Sequence, residues 1–289
     1  MDASDLRVFE AVARLGGINR AAAELNTVQS NVTNRIRLLE EKLGTRLFER
    51  LSRGVALTAA GRRLLPYAHE VRDLLDEARR AVEDNGVPRG QLTVGSMETT
   101  AALRLTPFIA DYLAAYPDVE LVLRTSATGE LVKDVLERRL EGAFVCGPIH
   151  HPELAEEKIF REELVVLAPP SVTDLDEVLS KPEIKVVVLR ASCSYRQRLE
   201  EILARRGVVG MRLLEFGTLE ACIGCVSAGL GVTLLPRELI GPIWQRNRVS
   251  VHKLHARDAM VDTVFIRRRD QRVSSALKVF LERFHAKAR

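Results

Sequence analysis

The sequence has few of the residues that mark disulfide-stabilised or membrane-spanning proteins. It contains four cysteines and one tryptophan among 289 residues, and aromatic residues make up 5%. Four cysteines are too few for a disulfide-framed secreted scaffold. No stretch approaches 18 consecutive apolar residues, so we expect no transmembrane helix. The first residues, MDASDLRVFE, are acidic and amphipathic, so we expect no signal peptide and a cytoplasmic protein.

The sequence also lacks the short motifs that common enzyme classes require. GxSxG, HExxH, GxGxxG and the P-loop pattern are all absent. The pair His150–His151 lies in an expected loop, where the two imidazoles either bind a metal or face solvent, and we favour solvent. Cys222 and Cys225 form a CxxC within an apolar helical run, which favours buried core residues. We therefore expect no enzymatic activity, no metal and no cofactor.

Charge is distributed unevenly along a chain whose total excess is only +4. Residues 1–63 carry a net charge of +4, residues 64–87 carry −3, residues 88–245 carry −5 and residues 246–289 carry +8. A basic end can bind nucleic acid, but basic patches are also ordinary solvated surface. Charge alone leaves both interpretations open. The length and the 46% hydrophobic content indicate a globular chain with two or three domains.

The N-terminal residues show three short helical patterns. Ser4 is a suitable N-cap for the first helix, and Gly16–Gly17 ends it. A second helix is predicted from Ile18 to Leu25. Thr27 can cap a third, predicted from about Val28 to Leu43, whose apolar residues recur in steps of three and four. Two short helices joined by a tight turn are typical of a helix-turn-helix.

The polar face of the third helix carries short hydrogen-bonding side chains at its N-terminus, followed by arginines. A helix that enters the DNA major groove needs amides and hydroxyls for base edges, and Arg for guanine or phosphate. A solvated face more often carries Glu and Lys. Gly54 then permits a β-wing, whose Arg53 can reach a minor groove or a phosphate. The candidate DNA-binding residues are Gln29, Ser30, Thr33, Asn34, Arg35, Arg37 and Arg53.

A long helix follows, which Thr58 can cap. Apolar residues at 64, 68, 71, 75, 78 and 82 form a heptad seam along it. This seam either pairs two copies of the chain or packs against the chain's own domain. We favour pairing, because two recognition helices bind two half-sites only if their separation is fixed.

From Gln91 the pattern changes to alternating strands and helices, which predicts an α/β fold with mostly parallel sheets. Four strand-to-helix junctions are rich in hydroxyls: GSMETT, TSATG, ASCSY and GTLE. Ligands of open α/β sheets bind beyond the carboxyl ends of strands, often at helix N-termini. At any one junction, an N-cap role explains the hydroxyl equally well.

The strings LRVFEAVARLGGINRAAAELN, QSNVTNRIRLLEEKLGTRLFER and LTAAGRRLL resemble the winged helix-turn-helix of LysR-type transcriptional regulators. Length, linker and C-terminal pattern fit the same family. The resemblance implies a winged helix-turn-helix DNA-binding domain at 1–58, a linker and dimerisation helix at 59–87, and an effector-binding domain at 88–289. The last would be a two-lobed α/β module similar to periplasmic binding proteins. Lobe I would span about 91–161 and 265–289, and lobe II about 162–264.

The resemblance implies a DNA-binding transcriptional regulator. Its binding to promoter DNA would change when a small effector, such as a carboxylate, is held between the two lobes. Expected partners are double-stranded promoter DNA, RNA polymerase and further copies in a homodimer or homotetramer, with no membrane. The recognition helix departs from the common family pattern at Asn31, Thr33 and Asn34, which bear on base preference. The effector-binding candidates are Ser96, Thr99, Thr100, Thr128, Cys193, Ser194, Tyr195 and Thr218, with Glu98 and Arg196 as further candidates.

Two alternatives stand beside this interpretation. Cys193 falls at a predicted helix N-terminus, where a thiolate would be stabilised, so a thiol-based redox-sensing regulator is the first. The second is a small-molecule-binding protein or enzyme in which the N-terminal domain serves only as an interaction module.

Overall fold

The computed structural model describes residues 1–51, 54–179, 183–189, 193–208, 210–241 and 248–288. Arg53, predicted at the wing tip, lies outside the described residues. The chain divides into an N-terminal unit, Met1–Glu83, and a C-terminal unit, Asp84–Arg289. Within the described ranges, no helix has both the length and the apolar character needed to cross a membrane.

The N-terminal unit contains the helices and the hairpin in the order that the sequence predicts. Its elements are α1 (Ala3–Leu15), α2 (Ile18–Glu24), α3 (Gln29–Leu43), β1 (Phe48–Leu51), β2 (Gly54–Leu57) and α4 (Ala59–Glu83). Two helix starts differ from the prediction. Asp2, not Ser4, caps α1, because its carboxylate accepts a hydrogen bond from the Asp5 amide at 2.8 Å. Val28, not Thr27, is the N-cap of α3, and it offers no side-chain hydrogen bond.

The core of the N-terminal unit is formed by α1, α3 and the residues that lead into the hairpin. Phe9, Val32, Leu39 and Leu47 are almost completely buried. The ring of Phe9 lies 5.3 Å from that of Phe48, in a tilted arrangement. The middle of the apolar stripe predicted for α3, namely Val32, Ile36 and Leu39, therefore enters this core, whereas Val28 and Leu43 at its two ends are exposed.

The hairpin contacts the turn between α1 and α2. The Val55 amide donates a hydrogen bond to the Gly16 carbonyl at 3.2 Å. Gly54 has a φ of +96°, and a Cβ at that position would lie 2.5 Å from the same carbonyl oxygen. Only glycine fits this backbone conformation and this close approach without strain.

The predicted seam of α4 divides into two halves. Leu64, Ala68 and Val71 contact the core of the N-terminal unit itself. Leu75 and Val82, in the second half, are exposed, the latter by 88%. Packing against the chain's own domain therefore explains the first half of the seam only. The second half has apolar side chains that are not covered within this unit.

The C-terminal unit alternates strands and helices. Its first elements are β3 (Gly90–Ser96), α5 (Glu98–Thr100), a π-helical turn (Ala101–Leu105), α6 (Thr106–Ala115), β4 (Val119–Thr125), α7 (Thr128–Leu136), β5 (Gly142–Cys146) and β6 (Leu154–Ala168). Next come α8 (Leu175–Leu179), β7 (Glu183–Val188), α9 (Ser194–Arg205), β8 (Gly210–Glu215), α10 (Leu219–Ser227) and β9 (Thr233–Pro236). A 3₁₀ turn (Arg237–Leu239), β10 (Ser250–Lys253), α11 (Ala256–Ala259), β11 (Met260–Arg268) and α12 (Ser275–Ala288) complete it.

Two long strands, β6 and β11, organise the sheets. The main sheet has the order β10-β6-β11-β5-β3-β4, with β9 paired to β6, and β7 pairs separately with β8. The pairs β3–β4, β3–β5 and β7–β8 are parallel, as predicted. β6 and β11 are antiparallel to each other and to their described neighbours, so the sheet is mixed rather than mostly parallel.

The two crossing strands pass from one hydrophobic core to another. Leu164 and Val261 pack in a core with residues of α9, α10 and β7. Further along the same strands, Phe265 packs with Phe144 and with Phe280 of α12 in a second core. Residues that belong to the first core and residues that belong to the second core lie close together in the region between them.

Several basic side chains of the C-terminal segment are paired within the C-terminal unit. Arg268 forms ion pairs with Asp270 at 2.8 Å and with Glu153 at 3.0 Å. Lys287 pairs with Asp111 at 2.6 Å, and the Arg283 guanidinium lies 5.0 Å from the ring of Tyr116. These contacts explain part of the +8 excess as intramolecular pairing.

Candidate functional site

The exposed face of α3 carries most of the predicted DNA-binding residues. Gln29, Ser30, Asn34 and Arg37 are exposed, while Thr33 and Arg35 are half-buried. The Thr33 hydroxyl donates to the Gln29 carbonyl at 2.9 Å. Arg37 donates to the Asn34 side chain at 3.0 Å and also pairs with Glu41. Gln29 and Ser30 lie in the N-terminal turn, where the Gln29 amide donates to the Thr33 hydroxyl at 3.5 Å.

Arg35 joins α3 to α1. Its guanidinium donates to the Ser4 hydroxyl at 2.9 Å and to the Asp5 carboxylate at 3.4 Å. Lys42, two turns further along α3, contacts the other oxygen of Asp5 at 3.3 Å. The buried Asp5 carboxylate thus contacts α3 at two points and joins that helix to α1.

Glu40 joins α3 to the hairpin. Its Oε1 accepts hydrogen bonds from the backbone amides of Leu47 at 2.7 Å and Phe48 at 3.2 Å. After the hairpin, the Thr58 hydroxyl accepts from the Gly61 amide at 3.0 Å and caps the first turn of α4, as predicted. The half-buried Glu40 carboxylate therefore adds a polar link between α3 and the hairpin to the packing of Leu47 and Phe48 in the core.

Glu10 joins α1 to α4. Its carboxylate is 3% exposed and accepts from Arg72 at 2.8 Å and from Arg14 at 3.2 Å, with His69 at 3.6 Å. Sequence reasoning missed Asp5, Glu10 and Glu40, because each looks like an ordinary charge on an amphipathic helix. The sequence does contain one indication of their burial, because each of them falls on the apolar, inward-facing side of its helix.

A cleft lies within the C-terminal unit. Its volume is about 640 Å³, which includes space open to solvent. It is lined by Met97–Thr99, Ser126–Thr128, Val187–Leu189, Cys193–Arg196, Leu199 and Thr233–Leu235. Five of the eight effector-binding candidates are in this lining, namely Thr99, Thr128, Cys193, Ser194 and Tyr195. Glu98 and Arg196 join them.

The other three candidates lie elsewhere. Ser96 is completely buried and donates to the Met97 carbonyl at 2.9 Å. Thr100 is also buried, and its hydroxyl has no hydrogen-bond partner among the described residues. Thr218 caps α10, because its hydroxyl accepts a hydrogen bond from the Ala221 amide at 3.2 Å. This is the N-cap role that was the alternative to effector binding at this junction. Ser96 is enclosed because the end of β3 is buried on both faces of the sheet.

The lining that the sequence did not identify is mainly apolar. Met97, Val187, Leu199 and Leu234 read as core residues in the sequence, and they form the floor and walls of the cleft. Small-molecule sites are often apolar with a few placed polar groups. No pattern in the sequence distinguishes apolar residues that line the cleft from apolar residues of the core behind it.

A buried polar network lies behind the cleft. Tyr195 donates to the Glu162 carboxylate at 3.3 Å and lies 3.4 Å from the Thr99 hydroxyl. Thr263 of β11 donates to the same Glu162 oxygen at 3.2 Å. The other oxygen has no partner within the described ranges. Burial raises the pKa of the Glu162 carboxyl, and burial followed by the Glu162 charge raises the pKa of Tyr195 well above its usual value.

The surroundings of Cys193 do not favour the thiolate on which the redox-sensing alternative rests. Burial raises the pKa of the Cys193 thiol, although the amides of Arg196 and Tyr195 act in the opposite direction. The expected stabilised thiolate is therefore wrong, since desolvation outweighs the helix N-terminus. Cys222 is buried against the Val187 carbonyl and Thr233, and burial raises its pKa to about 11, in agreement with the core interpretation.

A metal site receives no support from the described part of the chain. There, no group of three or more His, Cys, Asp or Glu side chains is placed to hold a metal ion. In the pair His150–His151, the ring Nδ1 of His151 accepts from the Glu153 amide at 3.3 Å.

Comparison with known proteins gives a consistent family. A model described as "Bacterial regulatory helix-turn-helix protein, lysR family" matches residues 3–62, and one described as "LysR substrate binding domain" matches residues 85–289. The chain is 44% identical over 276 residues to the HTH-type transcriptional regulator GltR of Bacillus subtilis, covering 96% of this chain and 93% of that one. It is 40% identical over 282 residues to the HTH-type transcriptional regulator YofA of Bacillus subtilis, covering 98% of each.

The fold is also found in a solved regulator. Full-length CbnR, solved in complex with its target DNA, aligns with a TM-score of 0.69 and 20% identity, covering 100% of both chains. CbnR is a LysR family transcriptional regulator. The relatives are regulators rather than enzymes, and the two family models together span almost the full length. This chain therefore belongs to the LysR family of DNA-binding transcriptional regulators.

Proposed function

We propose that this regulator binds promoter DNA as a symmetric oligomer, through the exposed face of α3, and that a small anionic effector in the cleft changes its affinity for DNA. By thermodynamic linkage, DNA then changes its affinity for the effector by the same factor. The observation that carries the effector proposal is the convergence of two helix N-termini on one cleft of the C-terminal unit.

The two N-termini belong to α7 and α9. Their N-cap residues, Ala127 and Cys193, form no side-chain hydrogen bond to the first turn among the described residues. Free backbone amides and the helix dipole favour an anion at such a position. Ser126, Thr128 and Ser194 add hydroxyls to the same lining. A carboxylate attached to a short apolar body fits these amides and the apolar walls.

The oligomer proposal rests on the second half of α4. Leu74 and Leu75 are each more than half exposed, and Val82 is almost fully exposed. A monomer would leave this apolar surface in water, at a cost of roughly 25 cal/mol for each Å² that pairing buries. Pairing along α4 would also set the separation of two recognition helices, which a two-half-site promoter requires.

The effector proposal is tested with the full chain and a panel of small mono- and dicarboxylates. We expect one or more of them to raise the melting temperature, because a bound ligand stabilises the folded state. The variants Thr128→Val and Ser194→Ala should reduce this shift. Thr218→Ala, which removes an N-cap outside the cleft lining, is the matched control and should keep it. Equal losses in all three variants, or no shift with any carboxylate, would count against an anion at these helix ends.

A further inference from the structure

Val28 combines two unfavourable local features at the start of the recognition helix. It is the N-cap of α3, a position where Ser, Thr, Asn or Asp normally satisfies a free backbone amide and where Val is among the poorest choices. Its β-branched side chain is also 65% exposed to water. A scattered exposed valine would need no explanation. Here, however, both penalties fall on the one residue that opens the helix facing DNA.

Neighbouring residues do not relieve either penalty. Thr27, which would be a good N-cap, instead accepts a hydrogen bond from the Asn31 side chain at 2.9 Å. Residues after Val28, namely Gln29, Ser30 and Asn31, are exposed and polar, so the apolar side chain is isolated on this surface. A local rule broken without compensation inside the folded chain is expected where function requires it.

We propose that Val28 is a specificity-determining residue that contacts the 5-methyl group of a thymine in the major groove. This inference rests on the proposed DNA binding through α3. The N-terminal residues of a recognition helix approach base edges, and the thymine methyl is the one apolar group that the major groove displays. Gln29, the next residue, supplies the amide for a polar base edge beside it. The isopropyl group is thus unfavourable in free protein and buried in the complex.

The test removes the methyl groups from the DNA one at a time. A duplex bound by the wild-type full chain is first selected from random-sequence DNA, and each thymine is then replaced by deoxyuridine. We expect at least one replacement to weaken wild-type binding about fourfold, the equivalent of one methyl-sized contact. The same replacement should have no effect on Val28→Ser.

The control is Leu43→Ser, because Leu43 is a 39%-exposed apolar residue at the other end of the same helix. This variant should keep the deoxyuridine penalty. Val28→Ser should also melt at a higher temperature than the wild type, since it gains an N-cap and loses exposed apolar surface. A residue with a purely structural role would give a lower melting temperature.

Three outcomes would overturn the proposal. They are a wild-type complex insensitive to every thymine replacement, a penalty that persists in Val28→Ser, and a Leu43→Ser variant that loses the penalty equally. Failure of the wild-type chain to select any preferred sequence would overturn DNA reading by α3 as well. That result is distinguishable, because the other outcomes all require sequence-specific binding.

Discussion

The Glu10 contact predicts an energetic coupling between α1 and α4. In Glu10→Gln, the carboxylate that accepts from Arg72 at 2.8 Å and from Arg14 at 3.2 Å becomes a neutral amide. Hydrogen bonds to charged groups contribute about 1.5–3 kcal/mol. Because the Arg72 side chain is 36% exposed and can be rehydrated, we expect a smaller coupling of about 1–2 kcal/mol in the cycle of Glu10→Gln with Arg72→Met.

The chain offers a matched control for this cycle in the ion pair of Arg37 and Glu41. Both of these side chains are more than half exposed, so their coupling should be only about 0.3–0.5 kcal/mol. Hydrogen exchange measured by mass spectrometry on the full chain gives the local opening free energies, from peptides of α1 and α4 for Glu10–Arg72 and from peptides of α3 for the control pair. A Glu10–Arg72 coupling no larger than that of the control pair would refute the role of Glu10 in holding the two helices together.

Two further predictions concern the network behind the cleft and the wing. Because burial raises the pKa of Glu162 above its ordinary value of 4.5, the stability linked to this carboxyl is present below that value and is lost as the pH rises through the raised pKa. The melting temperature of the wild type should therefore fall relative to that of Glu162→Gln as the pH is raised above 4.5. A Glu162→Gln profile that runs parallel to that of the wild type would contradict the assignment. Gly54→Ala should destabilise the N-terminal unit by about 1–3 kcal/mol, since its Cβ would meet the Gly16 carbonyl at a positive φ. Urea titration gives the free energy of unfolding of each variant. Gly44→Ala, also at a positive φ but with open space around it, should lower that free energy by less than Gly54→Ala does. Equal losses would mean that the close approach to the Gly16 carbonyl is unimportant.

Periodicity predicted the elements of the N-terminal unit well, because local spacing decides them. The stripe of Val32, Ile36 and Leu39 identified both α3 and its buried face. Competition between neighbouring side chains decided the helix starts, and spacing does not report it. Asp2 forms a reciprocal capping box with Asp5, so Ser4 is left to accept from Arg35.

The C-terminal unit shows where local patterns stop being informative. Only the apolar second half of β6 reads as a strand, whereas its first half, LAEEKIFR, is polar because it lies on an exposed surface of the sheet. Antiparallel pairing of β6 with β11 joins residues about 100 positions apart, which no local spacing indicates. The cleft walls and the buried Glu162 share this limit, since tertiary packing alone decides whether a Leu lines a site or whether a Glu is buried.

Competition binding measures directly whether α3 reads DNA sequence. Fluorescence anisotropy on the full chain compares a selected duplex with a scrambled duplex of the same composition at fixed salt. We predict a preference of at least about 10³-fold for the selected duplex, strongly reduced in Gln29→Ala while affinity for the scrambled duplex is unchanged. Equal affinity for the two duplexes, or a preference that Gln29→Ala leaves intact, would show that α3 does not read sequence through Gln29.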